Sequence, residues 1–392
     1  MKGKVSLIVS DLSSSGSGRW GGAVRPFLLY QALKRLDLEV EIVGFVPSDN
    51  LEPVPTVSIP ITYVKSYKYP KFILSINNLL NKIKGNIVYV SKLKPTSFGS
   101  ALIKKILTRC PVILDIDDWE LSWYGGDRWQ YNPSLKQLGR DIFKPDGALR
   151  NPDHPLYLKW IEGFVSYADA VTTHTKFMQE RFGGVYLPNG KDVSLFDPSQ
   201  YDAEESRARY GLSEYRVLMF PGAPRPYKGV EDVLMALDLV NEPDLRLAIV
   251  GGSPYDNYDQ ELIQKWGRWI VKLPRYPVEQ MPDVVAAAHI VVVPQRDAPA
   301  AKAQFPLKIT DGMAMSKPIL ATRVGDIPEI LGDTGYLVEP SSPEQIAQQI
   351  KSIFENFEQA KERGIKARKR CIERYSIDSM SAILSDVIAS IK

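Results

Sequence analysis

The chain has 392 residues, enough for about two domains, with 44% apolar and 24% charged residues. Those values exclude disordered, collagen-like and coiled-coil chains, and a core of this size needs neither a disulfide nor a structural metal. Net charge is only +3, but 24 basic and 17 acidic residues fall within 1–190, against 25 and 29 within 191–392.

The opening stretch MKGKVSLIVSDLSSSG has an apolar run that ends before Asp11 and predicts a first strand, Val5–Ser10, rather than a signal peptide. Further strands are expected at Val40–Phe45, Ile59–Val64, Ile87–Ser91, Val112–Ile116 and Ala170–Thr175, with helical patterns such as Ala23–Leu36 and Ser97–Leu107 between them. A charged stretch without β-rich runs, 196–215, separates this half from a second series. Its strands are Val217–Phe220, Leu245–Gly251, Ile270–Leu273, Ile290–Pro294, Ile319–Thr322 and Tyr336–Val338. Helical patterns cover Val230–Leu239, Gln260–Trp269, Val278–Ala287, Leu307–Met315 and Pro343–Lys369. Strands alternating with helices imply parallel sheets covered on both faces. The expectation is an α/β chain of two doubly wound, Rossmann-like domains facing across a cleft: 1–195, and 196–375 with a last helix, 376–392, returning to the first. Ligands of such sheets bind outside the carboxyl ends of the strands.

Four segments at those ends carry chemistry. Asp11 to Ala23 holds Gly16, Gly18, Gly21 and Gly22 just before a helix, where backbone approaches a phosphate closely. The spacing is not GxGxxG, which argues against NAD. Phe220-Pro-Gly222-Ala-Pro-Arg225-Pro-Tyr-Lys228-Gly229 follows a strand. Its glycine turn, bidentate Arg225 and point charge Lys228 suit a pyrophosphate. Pro306 opens a helix whose free amides, with Lys308, form a second anion site. Asp311, further along that helix, is placed to accept from two ribose hydroxyls. Finally, Asp115, Asp117, Asp118 and Glu120 crowd the end of one strand. Such carboxylates bind acceptor hydroxyls or, with a raised pKa, accept a proton; Asp118 is the candidate. Each segment also has a plain structural reading as a turn, a capped loop or a core stripe.

Cys110 and Cys371 stand apart, and His154, His174 and His289 share no ligand spacing, so a metal-centred hydrolase is not expected. His289 reads as structural, while His174 and His154 are candidates for a cleft and a lid. Residues 53–114 hold ten basic residues and no acidic one. Apolar Phe72, Ile73, Leu74, Ile76, Leu79 and Leu80 lie among the first of them, a pattern that suits an anionic membrane surface. No recognition motif for nucleic acid accompanies the charge. No apolar run approaches the ~20 residues of a spanning helix.

On these residues the chain resembles the retaining family 4 glycosyltransferases of the GT-B fold. Gly21-Gly22-Ala23 is similar to that family's glycine loop, Leu187-Pro-Asn189-Gly190-Lys-Asp192-Val-Ser-Leu-Phe196 to its PNGxDxxxF junction, and Gly222–Gly229 to its phosphate turn. Asp311-Gly-Met-Ala-Met-Ser-Lys317-Pro318-Ile, then Thr322-Arg-Val-Gly325-Asp-Ile-Pro328-Glu329-Ile and Gly335-Tyr-Leu-Val, are the most specific matches. The resemblance implies a nucleotide-sugar donor in the C-terminal domain, its diphosphate on Arg225 and Lys228 and its ribose on Asp311. It implies a glycan or glycolipid acceptor on the N-terminal domain, no obligatory metal or cofactor, and front-face transfer in which the leaving diphosphate takes the acceptor proton. Three motifs depart from the family pattern: the EX7E pair, a His-Asp dipeptide and the turn arginine. Asp311 stands for the second glutamate of an EX7E pair, Ala303 for the first, and Asp117-Asp118 for a His-Asp dipeptide. The arginine usual just after the turn glycine is Ala223, with Arg225 two places on. The expected protein is a cytoplasmic glycosyltransferase for glycolipid or polysaccharide assembly, peripheral to the inner face of a membrane. A catalytically silent nucleotide-sugar-binding protein and a sugar-nucleotide epimerase of the same fold stay open.

Overall fold

A computed structural model of the chain describes residues 3–13, 16, 25–47, 59–252 and 256–391. It divides into two compact units, 1–188 with 380–392, and 189–379.

Unit 1 is built on β1 (Lys4–Val9), β2 (Glu39–Pro47), β3 (Ile61–Ser66), β4 (Ile87–Ser91), β5 (Val112–Ile116), β6 (Ala170–Thr173) and β7 (Val185–Tyr186). They pair in parallel in the order β3-β2-β1-β4-β5-β6-β7. β4 and β5 are buried along their whole length, as expected of central strands covered on both faces. The order steps outward from β1 in two directions, the doubly wound pattern whose reversal point lies between β1 and β4.

Unit 2 repeats the plan with β8 (Arg216–Pro221), β9 (Leu245–Val250), β10 (Ile270–Leu273), β11 (Ile290–Val293), β12 (Ile319–Thr322) and β13 (Tyr336–Val338). Their order is β10-β9-β8-β11-β12-β13. One core lies on each face of the sheet: Met219, Ala248, Val291 and Ile309 on one, Leu218, Leu247, Val233 and Ile350 on the other. Alternate residues of β8 and β9 therefore feed opposite cores, as the period of a strand requires.

The division between the units falls after Pro188, where the sequence reading places it at 195. The reason is a short pairing. The Lys191 amide donates to the Tyr375 carbonyl at 2.6 Å and the Ile377 amide to the Lys191 carbonyl at 3.0 Å. Gly190 permits this approach, since a Cβ there would lie 2.8 Å from the Ser376 carbonyl oxygen. The last helix, Ile377–Ser390, starts in unit 2 and belongs to unit 1 from Met380.

Two further differences have local causes. The single pattern Pro343–Lys369 is two helices, Pro343–Glu355 and Phe357–Arg374, broken where Asn356 leaves helical geometry (φ −124°, ψ 46°). The stretch 196–215 contains a helix, Ala203–Arg209, capped by Asp202, whose carboxylate accepts from the Glu204 and Glu205 amides. An Asp cap followed by two glutamates was a legible helix start.

Candidate functional site

The site in unit 2 begins where β8 ends. Gly222 has φ +145° and Gly229 φ +66°, conformations open to glycine, and a Cβ at Gly229 would collide with the Pro294 carbonyl oxygen. Between them Pro226–Lys228 forms one 3₁₀ turn before the helix Val230–Val240. The turn brings Lys228 back on itself, and its ammonium donates to the Ala223 carbonyl at 3.0 Å.

Lys308 approaches the same turn from the helix Leu307–Ala314. Its Nζ lies 3.6 Å from the position a Gly222 Cβ would take, and 4.7 Å from the Phe220 ring centroid. A Cβ at 222 would meet the lysine at ordinary contact distance, so it is the positive φ rather than lack of space that favours glycine here. Burial drives the Lys228 pKa well below its ordinary value, and the neighbouring Lys308 and Arg225 add to the effect. Burial also takes Lys308 down to about 8, against an upward pull from Asp311. Neither lysine has a carboxylate within ion-pair distance among the described residues. Arg225 does, pairing with Asp256 at 2.8 Å. Two buried lysines close together at a strand's carboxyl end form an arrangement that an anion would stabilise.

The sequence reading of Pro306 needs correction. Pro306 is the residue before the helix rather than its first turn, and the Leu307 and Ile309 amides are occupied by the Phe305 and Pro306 carbonyls at 3.0 and 2.9 Å. The helix start offers fewer free amides than expected, and Lys308 is the cation it contributes beside the Gly222 turn. Asp311 sits one turn on, nearly buried, with its Oδ1 paired to the Lys191 ammonium. Lys191 reaches Asp311 from 120 positions away, and nothing in its local sequence marks it for that role.

A pH dependence follows. Rising pH through about 8 removes the Lys308 proton from the free protein, so anion affinity is expected to fall across pH 7–9. The stability contribution has the opposite sign. The folded value lies below the unfolded 10.5, so between about 8 and 10.5 the unfolded chain holds more protons and ligand-free stability rises with pH. Titration calorimetry with a nucleoside diphosphate and melting curves, both taken at pH 7, 8 and 9, check the two signs.

In unit 1, Gly21 and Gly22 lie outside the described residues. The helix that follows, Arg25–Lys34, opens with a buried arginine whose Nε and Nη2 grip both oxygens of Asp115 at 2.9 and 2.6 Å. Asp115 also accepts from Thr172 Oγ1 at 2.7 Å, and the Tyr89 hydroxyl bonds Thr172 at 2.8 Å. This carboxylate is therefore structural.

The other acids beyond β5 belong to a second cluster. Lys92 Nζ lies 2.7 Å from Glu120, 3.7 Å from Asp117 and 3.9 Å from Asp118, and Lys94 Nζ lies 3.1 Å from Glu120. The Trp123 indole donates to Asp118 Oδ2 at 3.2 Å. Burial pushes Asp118 up to about 7 against the pull of Lys92. Burial acts upward on Glu120 too, but Lys92 and Lys94 outweigh it and hold it at about 2. Two acids of one cluster thus lie on opposite sides of the ordinary carboxylate range, the separation that suits one to exchange a proton and the other to stay charged.

The acid-free basic segment is only partly a surface. Lys92 and Lys94 turn inward to these acids, Lys104 donates to the Leu80 and Ile83 carbonyls, and Lys105 pairs with Asp169. Lys65, Lys68, Lys71, Lys82, Lys84 and Arg109 are exposed. His289 accepts the Val217 amide, and burial brings its pKa down to about 4, a structural role. His154 caps the helix Pro155–Glu162 through Nδ1. His174 is buried just beyond β6.

Residues 215–356, within unit 2, match the family model described as glycosyl transferases group 1. The chain is 26% identical over 238 residues to the GDP-mannose-dependent alpha-(1-6)-phosphatidylinositol monomannoside mannosyltransferase of Mycolicibacterium smegmatis. That match covers 57% of this chain and 62% of the relative. It is 23% identical over 326 residues to the N-acetyl-alpha-D-glucosaminyl L-malate synthase of Bacillus anthracis, covering 81% of this chain and 79% of the relative. The crystal structure of Anabaena HepE in complex with UDP and glucose superposes with a TM-score of 0.73 at 16% identity, covering 99% of this chain and 100% of that one. A glycosyltransferase from Rickettsia africae gives 0.72 at 19% identity, covering 100% and 98%. The fold is GT-B: two Rossmann-like domains with parallel sheets.

Proposed function

We propose that the protein is a retaining, metal-independent glycosyltransferase that moves a sugar from a nucleotide-sugar donor to a lipid-linked or polysaccharide acceptor. The observation that carries this reading is the convergence of Lys228 and Lys308, without carboxylate partners among the described residues, on the turn at Gly222. A diphosphate supplies the negative charge they lack. Arg225 joins them by exchanging Asp256 for phosphate, and Asp311 accepts from the ribose. The mannosyltransferase and the UDP-bound HepE both handle nucleotide sugars or their nucleotide, by name, which supports the same donor class here.

In the reaction the bond between C1 and the β-phosphate oxygen breaks while the acceptor oxygen bonds C1 on the same face. The acceptor proton passes to the departing phosphate. Arg225, Lys228 and Lys308 stabilise the charge that develops there, where fixed cations in a poorly hydrated site act most strongly. Asp118 binds the acceptor hydroxyl. The exposed lysines of 65–84 with Ile73, Leu74, Ile106 and Leu107, all exposed, suit an anionic membrane that carries the acceptor. Each cation near such a surface contributes about 1 kcal/mol. Among the described residues no helix is long and apolar enough to cross a membrane.

A second reading, a catalytically silent nucleotide-sugar-binding protein, draws on Ala303, a fully buried alanine in place of a carboxylate. One experiment separates the two. UDP-, GDP- and ADP-sugars are screened by thermal shift, because a binder raises stability by mass action. The stabilising donor is then incubated with lipid and oligosaccharide acceptors, and the product is examined by NMR. A product with the donor's anomeric configuration is expected. An inverted product overturns the retaining mechanism, and binding without turnover on any acceptor favours the silent reading.

A further inference from the structure

The carboxylate assigned to the ribose is not alone. Lys191 and Asp311 are 120 positions apart, yet their side chains form an ion pair, both largely buried at 9% and 13% exposure. Lys191 is fixed from three sides. Its backbone pairs with Tyr375 and Ile377, its ammonium sits 4.0 Å from the Phe196 ring centroid, and its charge meets Asp311 Oδ1. Asp311 Oδ2 takes no partner among the described residues.

The helix supplies a competitor. Lys308 lies three positions before Asp311 on Leu307–Ala314, the spacing at which helical side chains are neighbours. Asp311 already raises the Lys308 pKa. Without Lys191, the natural counter-ion of Asp311 is Lys308, and both groups would lose their freedom to bind a ligand. With Lys191 in place, the Asp311 carboxylate already has its counter-charge. Lys308 then keeps its charge for a phosphate, and Oδ2 remains an acceptor.

An acceptor beside an ammonium donor also has the pattern of a vicinal diol in reverse. Each hydroxyl of a diol both donates and accepts, so one donates to Oδ2 while its neighbour accepts from Nζ. Resting on the nucleotide-sugar reading above, we propose that Lys191 is a specificity-determining residue that, with Asp311, selects a ribonucleoside diphosphate through its 2′,3′-diol. A site built around buried polar partners rejects an analogue that leaves them unpaired.

The test uses the full-length protein and titration calorimetry. UDP, GDP and ADP are compared with their 2′,3′-dideoxy counterparts, in wild type and in Lys191→Met. Wild type is expected to prefer the ribo form about tenfold or more, the loss expected for a charge-assisted bond. In Lys191→Met the preference is expected to fall toward one. Lys191→Gln keeps a donor for Asp311 and covers the case in which the methionine variant does not fold. There the preference is expected to drop about threefold or more. A wild-type preference retained in either folded variant overturns the role of Lys191. Equal binding of ribo and dideoxy forms by wild type overturns diol selection while leaving the nucleotide reading intact. Wild type that binds none of the three diphosphates overturns that reading as well as this one.

Discussion

Replacing Lys308 with alanine is expected to weaken nucleoside-diphosphate binding by about 30- to 150-fold. A hydrogen bond between an ammonium and a phosphate contributes roughly 2–3 kcal/mol when both are shielded from water, and 1.4 kcal/mol is tenfold. The same substitution is not expected to destabilise the ligand-free protein, because burial opposes the charge that Lys308 carries. Activity and stability are therefore expected to move apart, the signature of a residue kept for binding. Lys228→Ala is expected to act in the same direction. The double variant is expected to lose less than the sum of the two, since both lysines serve one ligand. Calorimetric titration with UDP, GDP or ADP, beside a melting curve for each variant, reads both quantities. Wild-type affinity in a folded Lys308→Ala protein would remove the anion site from the account.

The second large effect lies in unit 1 and concerns stability. Arg25 and Asp115 are buried to 2% and 0% side-chain exposure, joined by two hydrogen bonds and backed by Thr172 and Tyr89. Arg25→Ala leaves a buried carboxylate without its counter-charge, which costs about 3–5 kcal/mol. The thermal transition of unit 1 is expected to fall by on the order of 10 °C. Arg25→Met combined with Asp115→Leu removes both charges and is expected to recover most of that loss, since an apolar pair of similar volume replaces an ion pair at little cost. Differential scanning calorimetry of the single and double variants decides it. A double variant as unstable as the single would mean that packing, not the uncompensated charge, sets the effect.

The strands were the most legible part of the fold. Ile87–Ser91, Val112–Ile116, Ile270–Leu273, Ile319–Thr322 and Tyr336–Val338 are predicted to the residue. Parallel strands covered on both faces are short unbroken β-branched or aliphatic runs, and turn residues mark their ends. β7, only Val185–Tyr186, is too short to carry such a signal. The helix Leu135–Phe143 escaped because Leu135 and Phe143 point outward, against the usual sense of an apolar stripe. The turn that holds Gly222 and Lys228, and the helix that carries Lys308, were readable as local structure because strand, glycine turn and helix follow in order. The pairing of Lys191 with Asp311 was not, because charge type is local information and partner choice is a property of the folded chain. The same gap explains Lys92 and Lys94. A count of charges along 53–114 sees an unrelieved basic run, whereas the fold gives both lysines acids from beyond β5.

The paired strands of backbone at Lys191 and Ser376 have a consequence for how such a chain is assembled. They set the entrance and the exit of residues 189–379 side by side. A segment whose ends already touch adds almost no closure entropy to whatever chain receives it, so it behaves as a cassette that a different host sequence can accept at a single point. Exchange through those two neighbouring junctions would replace residues 189–379 whole and leave the seven-stranded sheet of the other unit unbroken.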